Sequence, residues 1–385
     1  MKTIRRLIYG EVLAAIALVA LGFLALFFFF DLVDELQYLG KNNGLSTATD
    51  TYQIRHALLY VGLLVPNHLY ELLPISVLIG TIFVMARLAQ SSEYTILRTS
   101  GLGPWRALKL LLVLGSFFVM FSFVVGEYVA PASERGAQLL KARYQNKITV
   151  GQTGAWLKEK QTYNTYVVNV KALSPDNEMQ GLQIFEFNGK GAIVSSTQAP
   201  TAVFAPGEAW QLLQASRTEF DVHAPSAGGA SGAGTTPETA RVARTVTENY
   251  RWPTGISAEM VSVALLKPER MGTIDLFNYI RHLSANGQTT QRYEIEFWKK
   301  VFYPLSCLVM VMLALPFAYL HFRSGGIAGY VFSGVMIGIS FFLLNNVFGY
   351  IGNLRNWSPW LASATPGLLY MAVSLGAFGW LVFRR

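Results

Sequence analysis

Apolar residues in this chain gather in long blocks rather than recurring with a short period, and the blocks have the length of a bilayer. A membrane-spanning helix needs about 20 mainly apolar residues. Six stretches qualify: Leu7 to Asp31, Ala57 to Leu88, Trp105 to Val129, Val301 to Leu320, Ile327 to Tyr350 and Trp360 to Phe383. The first follows Lys2, Arg5 and Arg6 and resembles a signal peptide at its start. It outruns a signal-peptide core of up to about 15 residues and no small-residue cleavage site follows it, so it is expected to be a retained first span. The second carries Pro66, Asn67, His68, Glu71 and Pro74 in its first half. That mixture predicts a long, bent helix whose polar end reaches the outer interface or faces protein.

Between the third and fourth spans the period changes. Residues 165–172, 182–187, 193–197 and 210–214 alternate with a period of two and are separated by turn clusters such as Ser174-Pro175-Asp176-Asn177. This predicts strands of a sandwich or jelly roll. Ala224–Ala240 is low-complexity and is expected to be a flexible loop. Residues 274–284 read as an amphipathic helix. The expected fold is therefore a membrane α-helical protein, six helices split three and three, with an inserted all-β, jellyroll-like domain. Its parts are residues 1–130, 131–292 and 293–385.

Composition agrees. Of 385 residues, 52% are hydrophobic and 14% charged, where a soluble domain carries about 25% charged. The net charge of +8 sits mostly beside the apolar blocks, so it sets topology rather than marking a nucleic-acid site. Arg87, Arg98, Arg106, Lys109 and Arg323 join the basic residues of both termini on one side. Positive residues favour the cytoplasm, which puts both termini inside and residues 131–292 outside. The single cysteine, Cys307, lies in an apolar block and is expected to be a packed, inert thiol.

Enzyme signatures are missing. No G-x-x-x-x-G-K-[ST], H-E-x-x-H or G-x-S-x-G occurs, and the five histidines are scattered. No metal site and no cofactor bound by this chain is expected. If the protein drives transport, the energy comes from another subunit. Residues 87–109 form a cytoplasmic connector with a modest helical stripe through Leu88, Ser92, Thr95, Ile96 and Thr99, ending at Ser100-Gly101. An ABC ATPase grips such a helix, but the residues alone favour an ordinary interfacial connector.

Five stretches, in order along the chain, give a resemblance. They are Phe30–Gly40 (FDLVDELQYLG); Pro66 with Glu71 and Pro74; Leu88-Ala89 with Glu93 and Ser100-Gly101; Gly126–Pro131 (GEYVAP); and Arg323-Ser324-Gly325-Gly326. Together they resemble the LptF/LptG (YjgP/YjgQ) permeases of lipopolysaccharide export over essentially the whole chain. Val33–Leu36 is more similar to the LptG branch than to LptF. The resemblance implies a permease subunit that pairs with the other branch member, LptF, above a dimer of the ATPase LptB, which uses ATP and Mg. It implies extraction of lipopolysaccharide from the inner membrane and delivery through periplasmic LptC to the LptA bridge. Extraction of a multi-acyl lipid works against roughly 0.8 kcal/mol per buried CH2, so a driven step and an apolar shelter are expected.

The resemblance also implies residue roles. Glu93, Ser100 and Gly101 would couple to the ATPase; Arg87 and Arg98, read from their charge rather than from the resemblance, are expected to meet anionic lipid headgroups instead. Lys141, with Arg135 and Arg143 on a helical extension of the third span, would bind lipid phosphates by charge-assisted hydrogen bonds or form a basic patch on anionic lipid. Family members place basic residues at the outer end of the first helix, where this chain has Asp31, Gln37 and Tyr38; Lys41 is the candidate replacement. Asp34 and Glu35 are expected at the interface or against another subunit. Phe27, Phe28, Phe30, Leu73, Phe317 and Phe348 are candidates to line the acyl-chain cavity. An LptF paralogue, an ABC permease that extracts lipoproteins, and a membrane scaffold with an outer binding domain remain alternatives to this reading.

Overall fold

The computed structural model describes residues 2–40, 52–91, 103–145, 154–173, 178–205, 209–221, 241–264, 268–318 and 327–383. Helix α1 (Lys2–Leu36) and helix α2 (Ile54–Gln90) are followed by α3 (Pro104–Val124). A π turn over Val125–Val129 carries α3 directly into α4 (Ala130–Gln145). Pro131 stands two residues past that turn. A proline ring collides with the carbonyl four residues back, here Glu127, and the wider π turn relieves the collision without ending the helix. The third span thus continues past residue 130 as the expected helical extension.

The second span is an uninterrupted 37-residue helix despite Pro66 and Pro74. It is the hub of the bundle. Leu73, Val77, Val84, Met85 and Leu88 join Ile8, Val12 and Ile16 of α1 and Leu111 of α3 in one buried cluster. Leu78 and Ile82 face a second cluster with Met310, Tyr330 and Phe341. Close approach of α1 and α2 depends on Gly80: a Cβ there would sit 2.7 Å from the backbone nitrogen of Ile16. Helix α1 is otherwise little covered, with 11% of its most apolar window buried.

The fourth span differs from the straight helix expected over residues 301–320. Helix α7 (Gln291–Phe302) and helix α8 (Ser306–Ala314), which runs on through a 3-10 turn to Ala318, meet at a 48° bend. Pro304 lies at the break, and Leu305, Ser306 and Cys307 donate three residues back instead of four. The sequence boundary missed α7 because Arg292, Glu294, Glu296, Lys299 and Lys300 make it look extramembranous. Helices α9 (Ile327–Leu354) and α10 (Pro359–Phe383) complete the bundle. Among the described residues five helices are long and apolar enough to cross a membrane, and six if the bent pair is one span. Cys307 is fully buried, as expected of a packed thiol.

The inserted domain is a single antiparallel sheet of six strands: β1 (Ala155–Lys160), β2 (Thr165–Leu173), β3 (Met179–Phe187), β4 (Ile193–Ala205), β5 (Ala209–Asp221) and β6 (Arg241–Pro253). The four alternating runs fall within β2 to β5. Strand order follows the sequence, so the described strands form a meander without the crossovers of a Greek key. The expected loop at residues 224–240 lies outside the described residues. One face is closed by α5 (Ala258–Ala264) and α6 (Thr273–Ala285). Leu276, Tyr279 and Leu283, spaced three and four apart on α6, pack with Leu157, Val168, Ile184 and Leu212 of the sheet. Fully buried Trp210 is anchored among them, its indole N–H donating to the Ile256 carbonyl at 2.7 Å.

Two predictions follow from packing and burial. Gly80→Val should lower the melting temperature in detergent by the equivalent of about 1–3 kcal/mol of overpacking, while Gly22→Ala, which meets nothing within 4 Å, should be neutral. Burial holds the His282 imidazole below its ordinary range, opposed by the Glu159 carboxylate. The unfolded chain therefore binds the extra proton first, so stability is full above the ordinary histidine range and falls as pH drops through it. Thermal melts at pH 7.5 and 5.5 should show this loss in the parent and a smaller one in His282→Gln.

Candidate functional site

Where the helices meet the β domain, charged and aromatic side chains form a belt. Polar groups at such depth persist only when paired or hydrogen-bonded. Glu35, in the last turn of α1, is 3% exposed. One carboxylate oxygen accepts from the Tyr52 hydroxyl at 2.9 Å and the other from the Lys141 ammonium of α4 at 3.0 Å. The Lys141 ammonium also lies 4.8 Å from the Tyr38 ring centre and 4.5 Å from that of Tyr60. Two aromatic faces and one carboxylate thus surround a cation whose side chain is 27% exposed.

A second set of contacts ties α4 to the β domain. Buried Glu134 accepts from Arg270 at 2.5 Å and from Gln138 at 3.2 Å. The next residue, Arg135, is ion-paired with Asp275 of α6. Glu127 in the π turn accepts from the backbone N–H groups of Thr273 and Ile274. It therefore satisfies open donors at the start of α6 and sets a negative charge against the positive end of that helix. Gly126 beside it leaves room for the Tyr70 ring, which would be 2.3 Å from a Cβ.

The belt continues along α1, α2 and α7. His68 Nε2 and Asp31 Oδ2 are 2.7 Å apart, and the Phe27 ring lies 4.9 Å from the imidazole. Lys299 pairs with Glu296 at 2.7 Å. Lys300 stands 5.8 Å from the Tyr70 ring centre, with Glu127, Glu296 and Glu71 as its acidic surroundings. The Tyr303 hydroxyl donates to the Glu71 carbonyl, fastening the bend in the fourth span to α2.

Several expected residues stand here in unexpected company. Glu35 is not at an open interface: it is buried and pairs within the chain. Lys141 is brought to the junction, but with its charge already answered by Glu35. Arg135 bridges to α6, and Arg143 lies two positions beyond Lys141 on α4. Arg87 pairs with Glu11 at 2.6 Å rather than standing free for a headgroup. Leu73 is 2% exposed inside the bundle core, so it cannot line an open cavity. Phe30 is exposed, Phe27 and Phe28 flank it on α1, Phe317 stands edge-on to Tyr330, and Phe348 leans on Trp357. Glu93, Ser100, Gly101, Lys41, Arg98 and Arg323 fall outside the described residues. Among the described residues no group of three or more His, Cys, Asp or Glu could hold a metal.

Sequence reasoning missed Glu127, Glu134, Arg270 and the Asp31–His68 pair. An ionisable residue next to or inside an apolar block was the available signal. Its partner was invisible because it lies 37 residues away for Asp31 and 136 for Glu134. Lys141→Met strands a buried carboxylate and should destabilise the protein by about 1–3 kcal/mol. Changing Glu35→Gln and Lys141→Met together should recover most of that loss, as read from melts of the four proteins of a double-mutant cycle.

Comparison with known proteins agrees with this architecture. The family model described as lipopolysaccharide export system permease LptF/LptG matches residues 6–382. The lipopolysaccharide export system permease protein LptG of Escherichia coli (strain K12) is 27% identical over 356 residues, covering 92% of this chain and 90% of its own length. The protein of the same name from Haemophilus influenzae is 23% identical over 390 residues, covering 100% and 99%. With helices, β domain and helices in the same order as the five sequence stretches, and the family match spanning nearly every residue, the chain belongs to the LptF/LptG family of lipopolysaccharide export system permeases.

Proposed function

We propose that this chain is the LptG-type permease subunit of the transporter that extracts lipopolysaccharide from the inner membrane. It pairs with LptF, is driven by a dimer of LptB, and passes its load through LptC to LptA. The observation that carries the reading is the family match over residues 6–382, joined by two relatives that bear the LptG name. The chain has no phosphate-binding loop of its own, so ATP and Mg act in the partner. Basic residues flanking the spans support an orientation with both termini in the cytoplasm and the β domain in the periplasm. In that orientation the segment carrying Glu93, Ser100 and Gly101 meets LptB.

The belt suits the handling of an anionic amphiphile. Lys141 holds its charge beside Glu35, and a lipid phosphate arriving there exchanges one carboxylate partner for a more highly charged one. Tyr38 and Tyr60 fix the ammonium in place, which lowers the ordering cost of that exchange. The contacts of α4 and the π turn with Arg270, Thr273 and Asp275 fasten the third span to the β domain. Movement driven from the cytoplasm along that span reaches the domain as displacement rather than being lost in a loop.

The test is reconstitution of this chain with LptF, LptB and LptC in liposomes containing photocrosslinkable lipopolysaccharide. ATP-dependent crosslinking to added LptA is the expected result. Glu93→Ala should cut transfer at least tenfold, with loss of LptB co-purification or of ATP-coupled release. Lys141→Ala should reduce crosslinking while LptB stays bound. Full transfer by the Glu93 variant, or none by the parent complex, would overturn the reading.

A further inference from the structure

The outer face of the sheet at the β1–β2 hairpin carries a second constellation, far from the belt. Residues directly opposite across the strands share a face, so Lys158, Val167 and Phe185 form one row and Lys160, Thr165 and Phe187 the next. Trp156 lies on the same face of β1, is 49% exposed and stacks on Phe185 with ring centres 6.3 Å apart and planes 11° from parallel. Tyr163, at the hairpin tip, is 85% exposed. The groove here has a volume of about 740 Å³ and runs between the hairpin, the Asn188–Gly191 turn and the end of α6. Its lining holds two lysines, several amide and hydroxyl groups, and no carboxylate. Neither Lys158 nor Lys160 makes an ion pair among the described residues. Glu159, between them, points to the other face, accepting from Thr254 and Gly255.

This combination has a specific chemistry. Tyr163 and Phe187 line the groove, and an aromatic face takes up the C–H groups of a sugar ring. The Asn188 side-chain oxygen already accepts from the Lys190 and Ala192 N–H groups, which holds its NH2 group in place to donate to a sugar hydroxyl, and unpaired ammonium groups attract phosphate. From these observations we propose that the groove is a binding site for a phosphorylated oligosaccharide, namely the saccharide part of the exported glycolipid. The inference rests on the export reading and adds to it a sugar-recognition site on the β domain, separate from Lys141. A phospholipid headgroup at the membrane surface is the less fitting source of the anion. Helix α6 begins at the Glu127 junction with the spans and ends at the groove, about 18 Å further along its axis at 1.5 Å per residue. That exceeds the screening length of about 8 Å at physiological salt, whereas a sugar chain extends that far.

The experiment uses the full chain in neutral detergent micelles and the water-soluble, phosphate-bearing core oligosaccharide released from lipopolysaccharide by mild acid. Binding is followed by ligand-observed NMR saturation transfer. The parent protein should bind, and Lys158→Gln with Lys160→Gln should weaken binding about tenfold, as expected for losing exposed charge-assisted contacts. Tyr163→Ala, which removes an exposed ring that lines the groove, should weaken it several-fold. Dephosphorylating the oligosaccharide should cost the parent about as much as the double lysine change and cost the double variant little more. The inference is overturned by unchanged affinity in the lysine variant, or by equal competition from inorganic phosphate. Capture of phosphatidylglycerol vesicles through the same lysines would overturn it too, in favour of a membrane contact. Because this assay contains neither ATP nor partner subunits, absent oligosaccharide binding with intact transfer to LptA sinks this inference alone. Absent transfer sinks the export reading.

Discussion

A charge taken out of water must find an opposite charge or a set of donors close by, and at the junction of helices and sheet this requirement organises the molecule. Glu35 is buried with Lys141 and Tyr52, and Glu134 with Arg270 and Gln138. Glu127 is answered by two backbone N–H groups of α6. Apart from Gln138, which shares a helix with Glu134, the partners come from other parts of the chain, and the contacts with Arg270, Thr273 and Ile274 tie the end of the third span to the start of α6. Buried ion pairs add little net stability but penalise every arrangement that leaves one member alone. Their effect here is geometric: one docking of domain on bundle satisfies all of them.

The same requirement gives the belt its functional character. A lysine bound by a carboxylate and two rings is pre-positioned, and under the proposed function a lipid phosphate would compete with one partner instead of ordering a free chain. The helix that carries it is continuous with the third span through the π turn, whose width relieves Pro131 and whose Gly126 admits Tyr70. A joint built from hydrogen-bonded helix moves as a unit. The bent fourth span supplies the contrasting element: Pro304 interrupts its ladder, and Tyr303 ties the bend to α2. A bundle with one stiff strut and one broken span has a defined place to deform.

The β domain follows a different logic. Its inner face is filled by its own helices, with Trp210, Leu276 and Tyr279 closing the core. The outer face at the hairpin keeps aromatic rings and lysines in solvent, where burial cannot account for them. Apolar side chains inside need only the hydrophobic effect as their explanation; the rings and lysines at the hairpin are the surface on which the proposed saccharide site is built.

Much of the architecture was legible along the chain because its signals are local. A block of 20 apolar residues forces a span whatever surrounds it, and alternation in residues 165–172 or 182–187 forces a strand. The stripe in residues 274–284 predicted α6 to within one residue at either end. Local patterns also misplaced the fourth span, since the charges of α7 looked incompatible with the bundle until Glu296 was seen to pair with Lys299. The basic residues near the third span were likewise visible in the sequence, and their partners were not. Whether Lys141 is a free phosphate ligand or one member of a pair depends on Glu35, 106 residues away. No periodicity encodes that distance. Hydrophobic blocks act through water and lipid, which surround every residue alike, so the sequence alone determines the elements. Pairing of charges acts through a few ångströms of space between particular atoms, and only the folded chain decides which atoms those are.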